Sequence, residues 1–242
     1  MQLLSVILPT YNERVAAPRL LGEIGAVLDG AGIPFEALVL DDASPDGTAD
    51  VVASTFGASD AVRVIRRSGP RGLAFAIREG IESARGDTVV VMDSDFNHDP
   101  KALPSLLRPL DQFDLVSGSR FAPGGGMYSF GRYAGSFAMN LFIRLTLQTQ
   151  VQDNLSGYFA MRKRALGELP AERIFRGYGD YYFRLLWHAR AAGLRILEVP
   201  VYYRSREGGS SKTPLLRTSW RYTVETLRFR AEVSGTGSAR GG

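Results

Sequence analysis

Five short apolar runs, at residues 3–9, 37–40, 61–65, 88–92 and 114–117, punctuate the first half of this chain. Between them lie stretches with helical spacing at residues 15–28, 47–54, 72–84 and 100–107. Strands that alternate with helices pair through crossovers, so this order dictates an α/β fold: a mostly parallel, Rossmann-like sheet flanked by helices and joined by right-handed connections. Ligands of such sheets bind beyond the carboxyl ends of the strands. The residues just after each run are therefore where chemistry is expected.

The run at 88–92 delivers Asp93, Ser94 and Asp95. Alternate side chains share a face on extended backbone, so the two carboxylates can point one way with Ser94 turned aside, forming a claw for a hard divalent cation carrying a phosphorylated ligand. The plainer role of acids at strand ends is helix capping, and Asp99-Pro100 has that form, with Pro100 at the first helical position. Asp41 and Asp42 end the second run, where consecutive acids have no obvious packing role. Asp46 and Thr48 read as readily as purely structural turn and helix-start residues as they do as part of a site.

Composition closes off several functions. The 242 residues are 45% hydrophobic and 22% charged, as in a globular protein with a full core. The absence of cysteine excludes disulfides, thiolate metal sites and a cysteine nucleophile, and two histidines, His98 and His188, argue against a His-rich zinc centre. The opening residues show no signal-peptide pattern, and there is no apolar run of about 18 residues to cross a membrane. A cytoplasmic protein is expected. The net charge of +4 is uneven, because eight basic against three acidic residues follow position 200. Such a segment suits phosphates or an acidic membrane surface. Stacking platforms for nucleic acid are not identifiable, so nucleic acid is not an expected partner.

Beyond residue 117 the pattern changes. A Gly-rich loop at 118–129 contains Arg120, and an amphipathic stretch at 133–149 reads equally as a core helix or one that beds into a membrane interface. A polar cluster at 152–158 precedes a further apolar segment, residues 181–192 read as a helix, and 194–203 as a late strand that Pro200 places at an edge. A basic Gly/Ser-rich loop at 204–212 has the composition of a lid that orders on ligand binding. The expected organisation is a catalytic domain at 1–213, an amphipathic basic helical extension at 214–233 and a disordered tail at 234–242.

Six elements occur in order: P-T-Y-N-E at 9–13, D-D-A-S-P-D-G-T at 41–48, M-D-S-D-F-N-H-D-P at 92–100, G-S-R-F at 118–121, D-N-L-S-G-Y at 153–158 and R-E-G-G-S-S-K at 206–212. Together they resemble the family 2 glycosyltransferases of GT-A fold, and more closely the dolichyl-phosphate or polyprenyl-phosphate mannosyltransferases, over about residues 3–213. The resemblance implies that Pro9, Tyr11 and Glu13, with Asp42 and Asp41, hold the base and ribose of a nucleotide-sugar donor. It implies that Asp93 and Asp95 engage Mg²⁺ or Mn²⁺, that Asn97 falls where relatives carry a Gln able to join the metal shell, and that Arg120, Arg132, Arg206, Ser211 and Lys212 line a phosphate-rich region. Relatives often have a second glycine where this chain has Ala74, and a Glu-terminated aromatic stretch where it supplies Asp180 and then Arg184.

The resemblance further implies an inverting transfer of a hexose, mannose from GDP-mannose before glucose from UDP-glucose, to a polyprenyl phosphate at a membrane surface. Peripheral association, with or without a membrane-anchoring partner protein, would serve such an acceptor. A hydroxyl acceptor on a soluble molecule is the alternative and would need a general base, Asp153 or Asp95. A phosphate acceptor, with a second pKa near about 6, is already ionised and needs cations instead of a base. A non-catalytic nucleotide-sugar or nucleic-acid binding module is the remote third reading.

Overall fold

The computed structural model describes residues 3–205 and 215–237. The strand–helix unit repeats three times, as β1 (Leu4–Thr10), α1 (Ala16–Gly30), β2 (Phe35–Asp41), α2 (Thr48–Phe56), β3 (Val62–Arg66) and α3 (Leu73–Ser83), before β4 (Thr88–Val91). A 3₁₀ turn at Pro100–Ala102 runs into α4 (Leu103–Leu107), and a second at Arg108–Asp111 leads to β5 (Leu115–Ser119). There follow β6 (Gly126–Met127), α5 (Phe130–Leu147), β7 (Phe159–Arg162), α6 (Lys163–Gly167), α7 (Ala171–Ile174), α8 (Tyr181–Ala191), β8 (Ile196–Pro200), β9 (Tyr202–Tyr203) and α9 (Leu215–Gly237).

The seven-stranded sheet has the order β3-β2-β1-β4-β7-β5-β8 and is parallel except for β7, which runs against both β4 and β5. Its strands are apolar on both sides because helices cover both faces. Leu4, Val6 and Leu8 of β1 meet Leu20, Ile24 and Leu28 of α1, while Ile7 faces Ile77 of α3 in the opposite layer with Leu185 and Leu186 of α8. α3 approaches the sheet so closely that a Cβ on Gly80 would lie 2.5 Å from Ile7 Cγ2.

Strands β1 and β4 are neighbours, but the chain leaves β1 toward β2 on one side and reaches β4 on the other. Loops at such a reversal diverge and open a crevice. The register sets Thr10 beside Asp41 and Ile7 beside Val91, so the loops after β1, β2 and β4 leave from one edge. Antiparallel β7, which the sequence pattern did not separate from the apolar segment around it, pairs Phe159 with Val91 and so brings residues 156–158 to that same edge.

The late strand at 194–203 is divided in two. Pro200 ends β8, which is an edge strand as expected, and β9 then leaves to pair with β6. The basic segment forms α9 and continues to Gly237, past the expected boundary at 233. Phe229 of α9 is buried with Ile143 and Leu147 of α5 and Phe183 of α8, so this helix shares a hydrophobic cluster with the rest of the protein. Among the described residues no helix is long and apolar enough to cross a membrane.

Candidate active site

Two clefts open at the carboxyl edge of the sheet. The first, of about 430 Å³, is lined by Pro9, Tyr11, Glu13, Asp42, Asp93 and Asp95 among others. β4 ends at Val91, so both acids of the D-x-D lie on the loop beyond it, and Ser94 is not turned aside: it too faces the cleft, with its hydroxyl donating to the Pro9 carbonyl at 3.0 Å. The expected alternation fails because the strand stops short, and Phe96, with φ of 65°, turns the chain. Asp95 is buried, and its Oδ1 accepts the Asn97 N–H at 3.0 Å.

The loops after β1, β2 and β4 each carry a non-glycine residue in the left-handed region: Asn12 (φ 58°), Ala43 (φ 55°) and Phe96. Such conformations cost about 1–3 kcal/mol each and persist where surrounding structure determines them. Side-chain bonds do this here. Ser44 Oγ accepts the Asn12 N–H, Thr48 Oγ1 accepts the Glu13 N–H, and Asp46 accepts from Arg14 N–H and Thr48 N–H. Asp46 and Thr48 therefore carry out the turn and helix-start role while positioning Glu13.

The two consecutive acids have parted company. Asp42 lines the cleft, with Oδ1 taken by Arg67 and Oδ2 accepting the Gly72 N–H at 2.8 Å. Asp41 is buried away from the lining, and its Oδ2 accepts the Ser44 N–H at 3.0 Å. It belongs to the turn and does not reach the cleft. Arg67, which sequence reasoning missed, is buried and also donates to Glu79 at 2.8 Å and to the Pro70 carbonyl at 3.0 Å, tying the Gly72 loop to the cleft wall. Asp99 caps the 3₁₀ turn through Lys101 N–H, as its sequence form suggests.

The second cleft, of about 340 Å³, is lined by Arg120, Arg132, Asn97, Met139, Tyr203 and Tyr222 among others. Asn97 thus lines a different cleft from the two acids. Arg120 is buried in a bidentate pair with Asp153, at 2.8 Å from Nε to Oδ2 and 2.7 Å from Nη2 to Oδ1. Burial works against the charge of this guanidinium, but Asp153 outweighs it and raises the pKa. Asp153 is fully buried, lines neither cleft and also accepts the Arg120 N–H, so it is not placed to be a general base. Asp180 is likewise buried, paired with Arg184 and accepting the Tyr178 N–H. Arg206, Ser211, Lys212 and the lid expected around them lie outside the described residues.

Between the clefts His98 lies buried, stacked on Tyr158 at 4.7 Å. Burial pushes its pKa down to about 3, with the charge of Arg120 adding to the effect and that of Asp95 opposing it. His188 is half-buried against Trp187 and Phe229, in a structural position.

Residues 5–169 match the sequence model of Glycosyl transferase family 2. This chain is a family 2 glycosyltransferase. It is 37% identical over 214 residues to the undecaprenyl-phosphate mannosyltransferase of Micrococcus luteus, covering 85% of each chain. It is 36% identical to the polyprenol monophosphomannose synthase of Mycolicibacterium smegmatis, over 86% of this chain and 79% of that one. The dolichol-phosphate mannosyltransferase of Pyrococcus furiosus is 33% identical over 86% of this chain, which spans 58% of that relative. In structure, the glycosyltransferase is similar to glucosyl-3-phosphoglycerate synthase from Mycobacterium tuberculosis in complex with Mn²⁺ and UDP-glucose, with a TM-score of 0.70 and 25% identity over 95% of this chain and 79% of that one. The mostly parallel, helix-flanked sheet is thus the GT-A architecture of known glycosyltransferases.

Two acids in the first cleft suit a divalent cation, since Mg²⁺ is commonly held by one or two carboxylates and substrate phosphates instead of an all-protein cage. Among the described residues there is no cluster of three or more His, Cys, Asp or Glu able to hold a metal alone.

Proposed function

We propose that this glycosyltransferase moves a hexose, mannose from GDP-mannose foremost, onto a polyprenyl phosphate with inversion at the anomeric carbon. The observation that carries the reading is the pairing of an acid-bearing cleft with an arginine-bearing cleft across one shared wall. The names of the relatives from Micrococcus luteus, Mycolicibacterium smegmatis and Pyrococcus furiosus support the acceptor and the sugar.

Pro9, Tyr11, Glu13 and Asp42 would hold the nucleotide, while Asp93 and Asp95 would hold a Mg²⁺ or Mn²⁺ ion that offsets charge on the leaving diphosphate. Arg120 and Arg132 would grip the acceptor phosphate, whose oxygen is the nucleophile. Such an acceptor is ionised at neutral pH, in keeping with an Asp153 given over to Arg120. Arg206, Ser211 and Lys212 would close over the phosphates.

A membrane surface is the natural source of this acceptor. Phe130, Phe137, Leu141 and Leu145 fall on one face of α5 and are exposed, Phe130 at 85% and Leu145 at 67%. On α9, Trp220 is 71% exposed, beside exposed Arg217, Arg221 and Arg228. Apolar side chains interleaved with arginines suit peripheral binding to an anionic leaflet at the cytoplasmic side, alone or with an anchoring partner.

Radiolabelled GDP-mannose with Mn²⁺ should put label into an organic extract only when polyprenyl phosphate is added. Label that stays aqueous, or that enters the extract from UDP-glucose instead, would overturn the acceptor or the donor respectively. Asp95→Asn should lower transfer by about 10²-fold or more, the scale of losing an electrostatic group at the leaving oxygen.

A further inference from the structure

We propose that Tyr222, carried by α9, is a positioning residue that partitions the donor and acceptor clefts and keeps water from the anomeric carbon during transfer. This rests on the reading above.

Leu155, Tyr178 and Tyr222 line both clefts. Asp93 and Asp95 lie in one and Arg120 and Arg132 in the other, so a sugar passing from leaving diphosphate to acceptor phosphate crosses at these three side chains. Tyr178 and Leu155 belong to the loops of the α/β body. Tyr222 comes from the C-terminal helix, α9.

The seat of Tyr222 is built for it. A Cβ on Gly179 would lie 2.3 Å from the Tyr222 hydroxyl oxygen and 3.3 Å from Cζ, so only glycine there lets the phenol lie against the backbone. α9 is fixed on both sides of the ring. Arg221 sits over the Tyr178 ring at 5.3 Å, and Arg184, itself buried, donates to Glu225 at 3.0 Å while pairing with Asp180. One turn on, Phe229 anchors the helix in the cluster with Ile143, Leu147 and Phe183. Burial raises the pKa of Tyr222, so the group presented to the reaction is a neutral phenol.

In transfer, the bond from the anomeric carbon to the diphosphate oxygen breaks with its electron pair going to the diphosphate, and a bond to an anionic acceptor oxygen forms; no proton moves. In hydrolysis water supplies the oxygen and releases a proton to solvent. The two outcomes differ only in which nucleophile reaches the carbon. A bulky ring between the clefts, rigidly held, favours the seated phosphate over diffusing water.

The test uses the full chain with radiolabelled GDP-mannose, Mn²⁺ and detergent-dispersed undecaprenyl phosphate, scoring free sugar against lipid-linked sugar. Tyr222→Ala and Tyr222→Leu should raise the ratio of hydrolysis to transfer by about tenfold or more, the scale that loose positioning at a reacting centre produces. Donor KM should stay close to that of the parent, and Tyr222→Phe should keep the parent ratio because the ring and not the hydroxyl fills the space. Gly179→Ala should reproduce the Tyr222→Ala result by displacing the ring. An unchanged ratio in Tyr222→Ala and Tyr222→Leu, with melting temperatures like the parent's, overturns the proposal. Should the parent form no lipid-linked sugar, the acceptor reading fails by itself, and free-sugar release without acceptor, higher in Tyr222→Leu than in Tyr222→Phe or equal in both, still decides for or against the partition.

Discussion

The imidazole Nδ1 of His98 accepts the backbone N–H of Asp93 at 2.9 Å. A nitrogen that accepts carries no proton, so the ring is neutral and its Nε2–H donates to the Tyr203 hydroxyl, 2.9 Å away. Tyr203 in turn donates to the Ser156 carbonyl at 2.7 Å and has the Arg120 guanidinium over its ring at 4.6 Å. One buried chain of contacts thus runs from the first acid of the D-x-D to the arginine of the second cleft. His98→Phe removes the acceptor of the Asp93 N–H, a cost of about 1–3 kcal/mol. On the proposed role of Asp93 as a metal ligand, the Mn²⁺ concentration for half-maximal activity should rise about 10–100-fold, as when outer partners of metal ligands are lost. Melting temperature and a Mn²⁺ titration measured together check both parts; an unaltered Mn²⁺ requirement would reduce His98 to a packing residue.

Asp153 and Arg120 form a deeply buried ion pair beside the site. Removing one partner strands a charge without solvent, so Asp153→Asn should cost about 3–5 kcal/mol in denaturant unfolding. Asp153→Leu combined with Arg120→Met should recover much of that stability while leaving transfer abolished, because the cation proposed to grip the acceptor is gone. If Asp153 were instead the base, Asp153→Asn would keep its stability and lose activity with a changed pH profile.

The elements that were legible in the sequence are those whose patterns are local. The βα alternation, the Asp99 cap and the edge position of Pro200 follow from apolar spacing and proline chemistry, and each is found. So is the convergence of Pro9, Tyr11, Glu13, Asp42, Asp93 and Asp95 on one cleft, which needs only that parallel strands end together. What the pattern concealed is non-local. Antiparallel β7 is short and apolar, like the segment around it, and only its pairing with β4 and β5 defines it. Asp41 and Asp42 are indistinguishable as letters, but β2 ends at Asp41, and it is Asp42, on the loop beyond, that lines the cleft. Asp153 looks like a base until Arg120, 33 residues earlier, is seen to hold both its oxygens. Tyr222 had no signal, since its role depends on a helix docking over Gly179.

Glu36 supplies a pH dependence away from the site. Burial pushes its pKa up, but hydrogen bonds from the Arg85 N–H, the Ser5 hydroxyl and Arg63 outweigh this and hold it below the usual glutamate value of 4.5. A carboxylate with a depressed folded-state pKa contributes stability that is complete above its unfolded value and fades as pH falls through the folded one. The parent should therefore lose stability on acidification below about pH 4.5. Glu36→Gln should be less stable near neutrality by about 1–3 kcal/mol, as for weakened buried hydrogen bonds, with the difference shrinking toward low pH. Urea unfolding at several pH values measures this; a gap that stays constant across that range would mean that the Glu36 charge contributes nothing.

The exposed apolar side chains of α5 and α9 make the membrane reading testable separately from the chemistry. Leu145 and Trp220 are exposed apolar side chains that line neither cleft. Each basic side chain near an anionic surface contributes about 1 kcal/mol, and this part is screened by salt while apolar insertion is not. Leu145→Glu with Trp220→Glu should therefore lower binding to vesicles containing anionic lipid by about tenfold, counting lost apolar burial and added repulsion. Hydrolysis of the soluble donor without acceptor should be unchanged, since the clefts are intact. Transfer to polyprenyl phosphate in vesicles should fall, while transfer to the same acceptor in detergent should not. Equal vesicle binding by parent and double variant would place the membrane contact, if one exists, on another face.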